Sequence, residues 1–342
     1  MQPQLTILIV NWNSKEWTRK ALSSVARTCG ARQHQVIVVD NGSFDGTGEL
    51  VQKEFPWVEF IQLQANVGFG RANNVGAEHA RGEWLLLLNP DAEVLPGAVE
   101  AMLDVLRSVP DAGLAGPRIL NHDGSLQTSC VMSEPRPWRK ALDSEFLRRL
   151  SPRSPMWGTY EAFQAREPIK VECVSGACMM LSTALFRRVG GFSPEFYMYG
   201  EDLDLCRKIR EQGLGVYHVP QAVVIHYGGG ASTRQFRTFP VVARCVADKT
   251  YIQKWQGTRS AVCYRLLMLG SSLARVALLS VGCLLGTSQR RRKATAGLRK
   301  WWAIARWAVG LEPWAERLYG PWAGRVAPHG VQPLLEATVR RS

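Results

Sequence analysis

Three groups of polar residues in this chain could do chemistry. At Asn89-Pro90-Asp91 a carboxylate follows five apolar residues in a row, Trp84 to Leu88. That run is too short for an ordinary helix and reads as a strand buried on both faces. Proline cannot continue a central strand, so Asp91 is delivered to its carboxyl end, where open α/β sheets bind their ligands. A turn that merely carries an aspartate is the competing reading. At Tyr199-Gly200-Glu201-Asp202-Leu203-Asp204, three carboxylates follow the aromatic cluster Phe196 to Tyr199 and open a helix. The helix dipole alone favours acids there. Three beside apolar rings exceed what capping requires, and one could serve as a general base. Third, His226 ends a strand-like segment and abuts Gly228-Gly229-Gly230. For a lone histidine at a strand end, structural and ligand roles are both open.

The elements that must position these groups follow from the pattern. Leu5–Val10 is a short β-branched run; Ser14 can cap a helix running to about Cys29 and stopped at Gly30. Val36–Asp40 is a second buried strand, again ending in a carboxylate. The turn Asn41 to Thr47 opens a helix over about 46–54, Val58–Gln62 is a third strand, and Asn66 to Gly70 is a glycine-rich turn into a helix over Arg71–Ala80. Strand and helix alternate up to the Trp84 strand, which describes a right-handed, mainly parallel α/β unit of nucleotide-binding type. The chain has neither Gly-x-Gly-x-x-Gly nor a Walker lysine loop, which argues against a dinucleotide enzyme or a phosphate-loop ATPase. A helix over Pro96 to about Ser108 and a strand over Gly113–Gly116 continue the sheet. Residues 117–170 are broken by six prolines and hold several arginines, so they read as an irregular surface insertion or a loop flanking the cleft. Order returns as a strand pair or bent strand at Val171–Leu181, a helix at Thr183–Val189, the acidic helix to about Gly213, and two short strands, Gly215–Val219 and Ala222–His226.

The chain's 342 residues, 46% of them hydrophobic, suffice for one large domain with an appendage or for two domains. Its eight cysteines show no Cys-x-x-Cys pair and Met1 leads straight into a strand-like segment, which predicts reduced thiols in a cytosolic protein. The formal net charge of +13 is concentrated: residues 231–310 hold 15 Lys/Arg against Asp248 alone, whereas residues 1–230 are close to neutral. Within the basic segment, residues 261–286 are long enough to span a bilayer, but Arg265 and Arg275 interrupt them, at a cost of about 2.5 kcal/mol or more near mid-span. Arg290 to Lys293 follow, then Trp301, Trp302, Trp307, Trp314 and Trp322 mixed with Arg299, Lys300 and Arg306. Basic residues interleaved with tryptophan suit an anionic membrane surface, and in-plane association is expected. Nucleic acid is the competing partner, although no nucleic-acid motif accompanies the charge; packing on the rest of the protein is the third reading.

Taken together, these residues resemble the family-2 glycosyltransferases, the inverting nucleotide-sugar enzymes of the GT-A fold, and within them the bacterial rhamnosyltransferase-like branch that builds cell-wall and O-antigen glycans. The resemblance covers most of residues 5–232, and its motifs fall in the family's order. Asn11-Trp12-Asn13 looks like the nucleotide-contacting opening. Asp40-Asn41-Gly-Ser-Phe-Asp45 looks like the base- and ribose-binding turn, in which Asp40 would accept the imide N–H of uracil or thymine. Asn66-Val-Gly68-Phe-Gly70-Arg-Ala-Asn73 resembles the glycine-rich segment before the metal motif. Asn89-Pro90-Asp91 is similar to the Asp-x-Asp metal motif with asparagine in first place, and His226 sits where the family often has a further metal ligand. The acidic motif resembles the one holding the base. Helical geometry does not choose among its three acids; the resemblance assigns Asp202 as base, with Glu201 as its neighbour and possible acceptor ligand. It also implies a divalent cation, Mg²⁺ or Mn²⁺, a dTDP- or UDP-sugar donor, a lipid-linked glycan acceptor and a site of action at the cytoplasmic face of the membrane. The expected division is a catalytic domain over 1–232 and a basic helical, membrane-associating region over 233–342. L-rhamnosyl transfer is the leading expectation. Galactofuranosyl transfer from a UDP-sugar is the alternative of the same class, and a non-catalytic sugar-nucleotide-binding scaffold the alternative of another.

Overall fold

A computed structural model describes residues 3–28, 34–151, 153–154, 156–228, 238–285, 288–317 and 319. Its strands are β1 (Leu5–Asn11), β2 (Gln35–Asp40), β3 (Glu59–Gln62), β4 (Trp84–Leu88), β5 (Ala92–Val94), β6 (Ala112–Leu120), β7 (Val131–Met132), β8 (Ile169–Val171), β9 (Cys173–Val174), β10 (Cys178–Ser182) and β11 (Gly215–His226). Its helices are α1 (Lys15–Thr28), α2 (Thr47–Glu54), α3 (Phe69–Glu78), α4 (Ala98–Ser108), α5 (Pro137–Leu142), α6 (Glu145–Leu150), α7 (Tyr160–Gln164), α8 (Thr183–Arg188), α9 (Glu201–Glu211), α10 (Phe239–Gln256), α11 (Thr258–Leu285), α12 (Ser288–Ala308) and α13 (Pro313–Arg317).

The main sheet runs β3-β2-β1-β4-β10-β6-β11-β5, with β8 added to β11. Strict alternation along its central strands sends Ile7, Ile9, Val36, Val38, Leu86 and Leu88 to one core and Leu8, Val10, Ile37, Val39, Leu85 and Leu87 to the other. Helices α1, α2 and α4 cover the first face; α3, α8 and α9 cover the second. The strand reading of Trp84–Leu88 rests on this two-sided burial, which needs apolar residues at every position. Only the β3-β2-β1-β4 half is parallel throughout. Strand β10 runs antiparallel to both β4 and β6, and β5 and β8 run antiparallel to β11, so the sheet is mixed and less uniformly parallel than the alternation suggested. Strand direction after Asp91 is set by the path of a long insertion, which local pattern does not encode.

Other boundaries also moved. Strand β6 extends to Leu120 and pairs in parallel with β11, which is one strand of twelve residues. Its register shifts between Val219 and Val223, around Pro220, which has no N–H for the ladder. The 117–170 stretch is more regular than its prolines implied: β7 pairs with β9 as a second small sheet, and Pro137 stands in the first turn of α5, where its missing N–H is no loss. Glu134, nearly buried, ties this insertion down. It accepts hydrogen bonds from Tyr251 of α10 (2.8 Å) and from Arg207 and Arg210 of α9. Cys130, Cys173, Cys206, Cys245, Cys263 and Cys283 are free thiols; Cys29 lies outside the described residues.

The basic C-terminal helices form a third core with the aromatic loop before α9. Tyr197 packs there with Phe239, Val246, Tyr264, Ile304, Trp307 and Tyr319. Tyr251, further along α10, inserts into the second core of the sheet. Helix α10 is therefore packed on the main sheet itself, beyond residue 232.

Candidate active site

Strands β1, β2 and β4 end side by side, and Asn11 lies opposite Asp40 in the parallel register. Asn11 is 0% exposed: its Nδ2 donates to Asp40 Oδ1 (2.7 Å), with Ser43 Oγ and Thr47 Oγ1 each at 3.1 Å, and its Oδ1 accepts from Thr18 (2.9 Å). Asp40 is 1% exposed, and its Oδ2 accepts from the Ser43 amide (2.9 Å) and from Gln62 (2.6 Å). These three bonds hold the turn, and a carboxylate can accept about four. Asn41 is buried too. Its side chain donates to Asn66 Oδ1 (3.0 Å) and accepts from the Val67 amide (2.9 Å), joining the two turns. Asp45 accepts from the Lys15 amide (2.8 Å) and from Thr47, capping α1 and opening α2. Asn73 is buried and donates to the Phe69 carbonyl (3.0 Å). Asn13 adopts φ 49° and its Oδ1 accepts from the amide of Phe44, an exposed ring.

Gly68 joins this turn to the acidic motif. Its φ is +94°, and a Cβ there would stand 2.6 Å from the Tyr197 carbonyl oxygen, so glycine alone fits. The following Phe69 amide donates to that same carbonyl (3.0 Å). Gly70 lies against Phe192 and close to the Glu201 side chain.

The second group of polar residues converges on Asp91. His226, at the end of β11, places Nε2 3.1 Å from Asp91 Oδ1 and 3.3 Å from Asn89 Nδ2. Its Nδ1 stands 2.8 Å from Gln127 Oε1. Gln127 Nε2 donates to Asn121 Oδ1 and to the His226 carbonyl, which orients the amide and leaves Oε1 facing the ring. Nδ1 therefore carries a proton towards Gln127, and Nε2 faces the Asp91 carboxylate. Asn89 Oδ1 is buried beside them with no hydrogen-bond partner. A carboxylate oxygen and an imidazole nitrogen facing each other, with an orphaned amide oxygen alongside, are a donor set that fits a divalent cation; a histidine ligand usually donates its other N–H just as His226 does. Among the described residues no group of three or more His, Cys, Asp or Glu is gathered, so the set is one carboxylate, one imidazole and one amide.

The acid pair lies next door. The Asn89 amide donates to the Ala177 carbonyl (2.9 Å), and the neighbouring Gly176 amide donates to Asp202 Oδ2 (3.0 Å). Asp202 Oδ1 accepts from the Leu203 amide (2.8 Å). Burial pushes the Asp202 carboxyl up, while these amides and the Arg244 guanidinium hold it down. Burial, with the Asp202 charge beside it, pushes Glu201 up to about 8, and its Oε2 has no hydrogen-bond partner. Asp204 is 0% exposed and saturated: Ser193, Lys254 and Trp255 all donate to it, anchoring α9 to α10. That environment removes it from the contest for the base. Gly200 permits the approach, with φ +84° and a Cβ position 3.0 Å from the Phe196 ring, and Tyr199 (φ 68°) adds a left-handed non-glycine residue just before it.

Sequence reasoning missed Gln127, Arg244 and the Ser193–Lys254–Trp255 set. Gln127 sits in the insertion with no motif around it, and the others are polar residues that only tertiary packing brings to α9.

Residues 6–190 match the glycosyl transferase family 2 domain, and residues 160–228 match a domain described as the N-terminal domain of galactosyltransferase. The chain is 30% identical over 247 residues to the N-acetylglucosaminyl-diphospho-decaprenol L-rhamnosyltransferase of Mycobacterium tuberculosis, covering 68% of this chain and 79% of that protein. It is 24% identical to the rhamnosyltransferase WbbL of Escherichia coli, over 65% of this chain and 82% of the other. Among solved structures it resembles the mannosyltransferase PcManGT of Pyrobaculum calidifontis in complex with GDP-Man and Mn²⁺, with a TM-score of 0.54 at 18% identity, covering 100% of this chain and 87% of that one. With a GT-A type mixed sheet, an acid pair beside an aspartate–histidine pair, and these relatives, the chain belongs to glycosyl transferase family 2 and is a glycosyltransferase.

Proposed function

We propose that this enzyme is a metal-dependent inverting transferase that moves a deoxyhexosyl group, L-rhamnose, from a dTDP-sugar to a lipid-linked glycan acceptor. The observation that carries the metal-dependent donor site is the orientation of His226, whose Nδ1 is tied to Gln127 while Nε2 meets Asp91 at 3.1 Å. Asp91 and His226, with Asn89 Oδ1, would hold a divalent cation, Mn²⁺ or Mg²⁺. Such a cation supplies electrophilic stabilisation of the negative charge that collects on the departing nucleoside diphosphate. Asp202, fixed by the Gly176 and Leu203 amides, takes the proton from the acceptor hydroxyl as that oxygen bonds to the anomeric carbon; the electron pair of the sugar–phosphate bond leaves with the diphosphate. Glu201, raised to about 8 by burial and by the Asp202 charge, gives up its proton after Asp202, which favours Asp202 as the base. The rhamnosyl and lipid-linked assignments are supported by the named relatives. A UDP-sugar donor is the second reading, supported by the galactosyltransferase-domain match over residues 160–228. A thermal-shift panel tests both: dTDP-rhamnose with Mn²⁺ at 100 times its Kd should stabilise the enzyme by about 2.7 kcal/mol. Stabilisation by UDP-galactofuranose alone would select the second reading, and metal-independent stabilisation would reject the proposed cation site.

A further inference from the structure

Helix α11 is, among the described residues, the one helix long and apolar enough to cross a membrane. One side of it is packed against the protein. Ala261, Tyr264, Met268 and Ser272 are buried, and these positions recur at helical spacing along the face turned to α10 and α12. The two arginines that interrupt its apolar sequence lie on that same side. Arg265 donates to the Trp307 and Ala308 carbonyls at the end of α12, and Arg275 donates to the Ala141 and Asp143 carbonyls at the end of α5 and to Ser271. They are spent on helix ends inside the fold. The opposite side carries Val262, Leu266, Leu267, Leu273, Leu278 and Val281, all exposed. At ~100° per residue these six fall within about 160° of arc, and the exposed Arg259, one turn before Val262, marks the N-terminal end of that face.

The adjoining helix supplies the charge. α12 runs back along α11, as the contacts of Arg265 with Trp307 and Ala308 and of Leu279 with Gly297 show. On it Arg292, Arg299 and Arg306 recur every seven residues and are exposed, beside the exposed Trp302. An apolar helix face with an arginine at its N-terminal end, flanked by a cationic, tryptophan-bearing helix, matches one partner: the surface of an anionic bilayer. A symmetric second copy seated on this face would set two like-charged stripes against each other. A spanning α11 would drag Asp248, Lys249 and Glu316 of the helices packed on it into hydrocarbon.

We propose that α11 lies in the plane of an anionic membrane, buried to the depth of its Leu266–Leu278 face, with the α12 arginines on the lipid headgroups and Arg265 and Arg275 turned away into the protein. The membrane then bears on the bundle that backs the aromatic loop before Glu201 and Asp202. This placement does not depend on which sugar is transferred.

Cosedimentation of the full chain with vesicles tests it. Vesicles of 70:30 phosphatidylcholine and phosphatidylglycerol should bind it at least tenfold more tightly than phosphatidylcholine alone, and raised salt should weaken that binding. Leu266→Glu combined with Leu273→Glu should lower affinity for the anionic vesicles at least tenfold with the melting temperature of the parent. Arg292→Glu combined with Arg299→Glu should do the same and abolish the salt dependence. Unchanged binding in either folded variant, or equal binding to both vesicles, would overturn the proposal. So would a dimer in lipid-free buffer that the leucine variant splits. A fluorophore at Leu266→Cys or Leu278→Cys, after Cys29, Cys263 and Cys283 are replaced by serine, should be quenched equally and best by shallow nitroxide lipids. Quenching of one site from the bilayer centre and the other from the surface would show a crossing helix instead.

Discussion

At the ends of β1 and β2, Asn11, Asp40, Asn41 and Asp45 spend their side-chain oxygens and amides on one another and on nearby backbone. At the ends of β4 and β11 and the start of α9, buried polar atoms are left over: Asn89 Oδ1, Glu201 Oε2 and the Tyr197 hydroxyl have no hydrogen-bond partner. Leaving a buried polar group unmade costs about 1–3 kcal/mol, so such groups persist where something else completes them. Two regions equally rich in motif residues therefore differ in how far their polar atoms are paired. In the first they bond one another and shape a turn; in the second several buried atoms stay without partners, which supports the proposed ligand site there.

The comparison can be broken most sharply at Asp202. Asp202→Asn is nearly isosteric and cannot take the proton, so transfer should fall by roughly 10²-fold or more while donor affinity stays near that of the parent; steady-state kinetics with binding calorimetry checks it. Near-normal turnover would move the base elsewhere. On the scaffold side, Asp40→Ala strands the Asn11 and Gln62 amides and the Ser43 N–H, and should lower unfolding stability by about 2–3 kcal/mol in a denaturant titration. An effect on nucleotide affinity with unchanged stability would return Asp40 to the ligand side.

Smaller effects sharpen the contrast. Gln127→Ala frees the His226 ring without removing a ligand, and should weaken Mn²⁺ binding about tenfold. The last is a pH slope. Glu201 has its folded pKa raised to about 8, so its contribution to stability is complete below its unfolded value and is lost as pH rises through about 8. The parent should thus lose about 1 kcal/mol per pH unit between pH 6 and 8 relative to Glu201→Gln, measured by urea unfolding across that range.

Much of the scaffold was legible because its signals are local. The Leu-rich run at 85–88 had to be a two-faced strand, and the turn after Asp40 and the helix opening at Glu201 follow from adjacent residues. The placement of His226 beside Asp91 was legible only through resemblance, since 135 residues separate them and β5–β11 pairing brings them together. The direction of β10 and the saturation of Asp204 by Lys254 and Trp255 were not legible, because both depend on elements packed from far along the chain. Nor did the sequence show the internal partners of Asp40: a carboxylate at a strand end looks the same whether or not Asn11, Ser43 and Gln62 donate to it. Arg265 and Arg275 carried the same ambiguity, reading as obstacles in an apolar helix until their carbonyl partners on α12 and α5 were located.

The most direct test of the central contrast is a calorimetric titration of Mn²⁺ with dTDP into the parent, Asp91→Asn, His226→Gln and Asp40→Asn enzymes. Asp91→Asn and His226→Gln are expected to lose at least tenfold in metal-dependent nucleotide affinity with unchanged melting temperatures in the metal-free state, whereas Asp40→Asn should lose stability first. Parent-like, metal-dependent affinity in both Asp91→Asn and His226→Gln would contradict the assignment of that pair to the donor site.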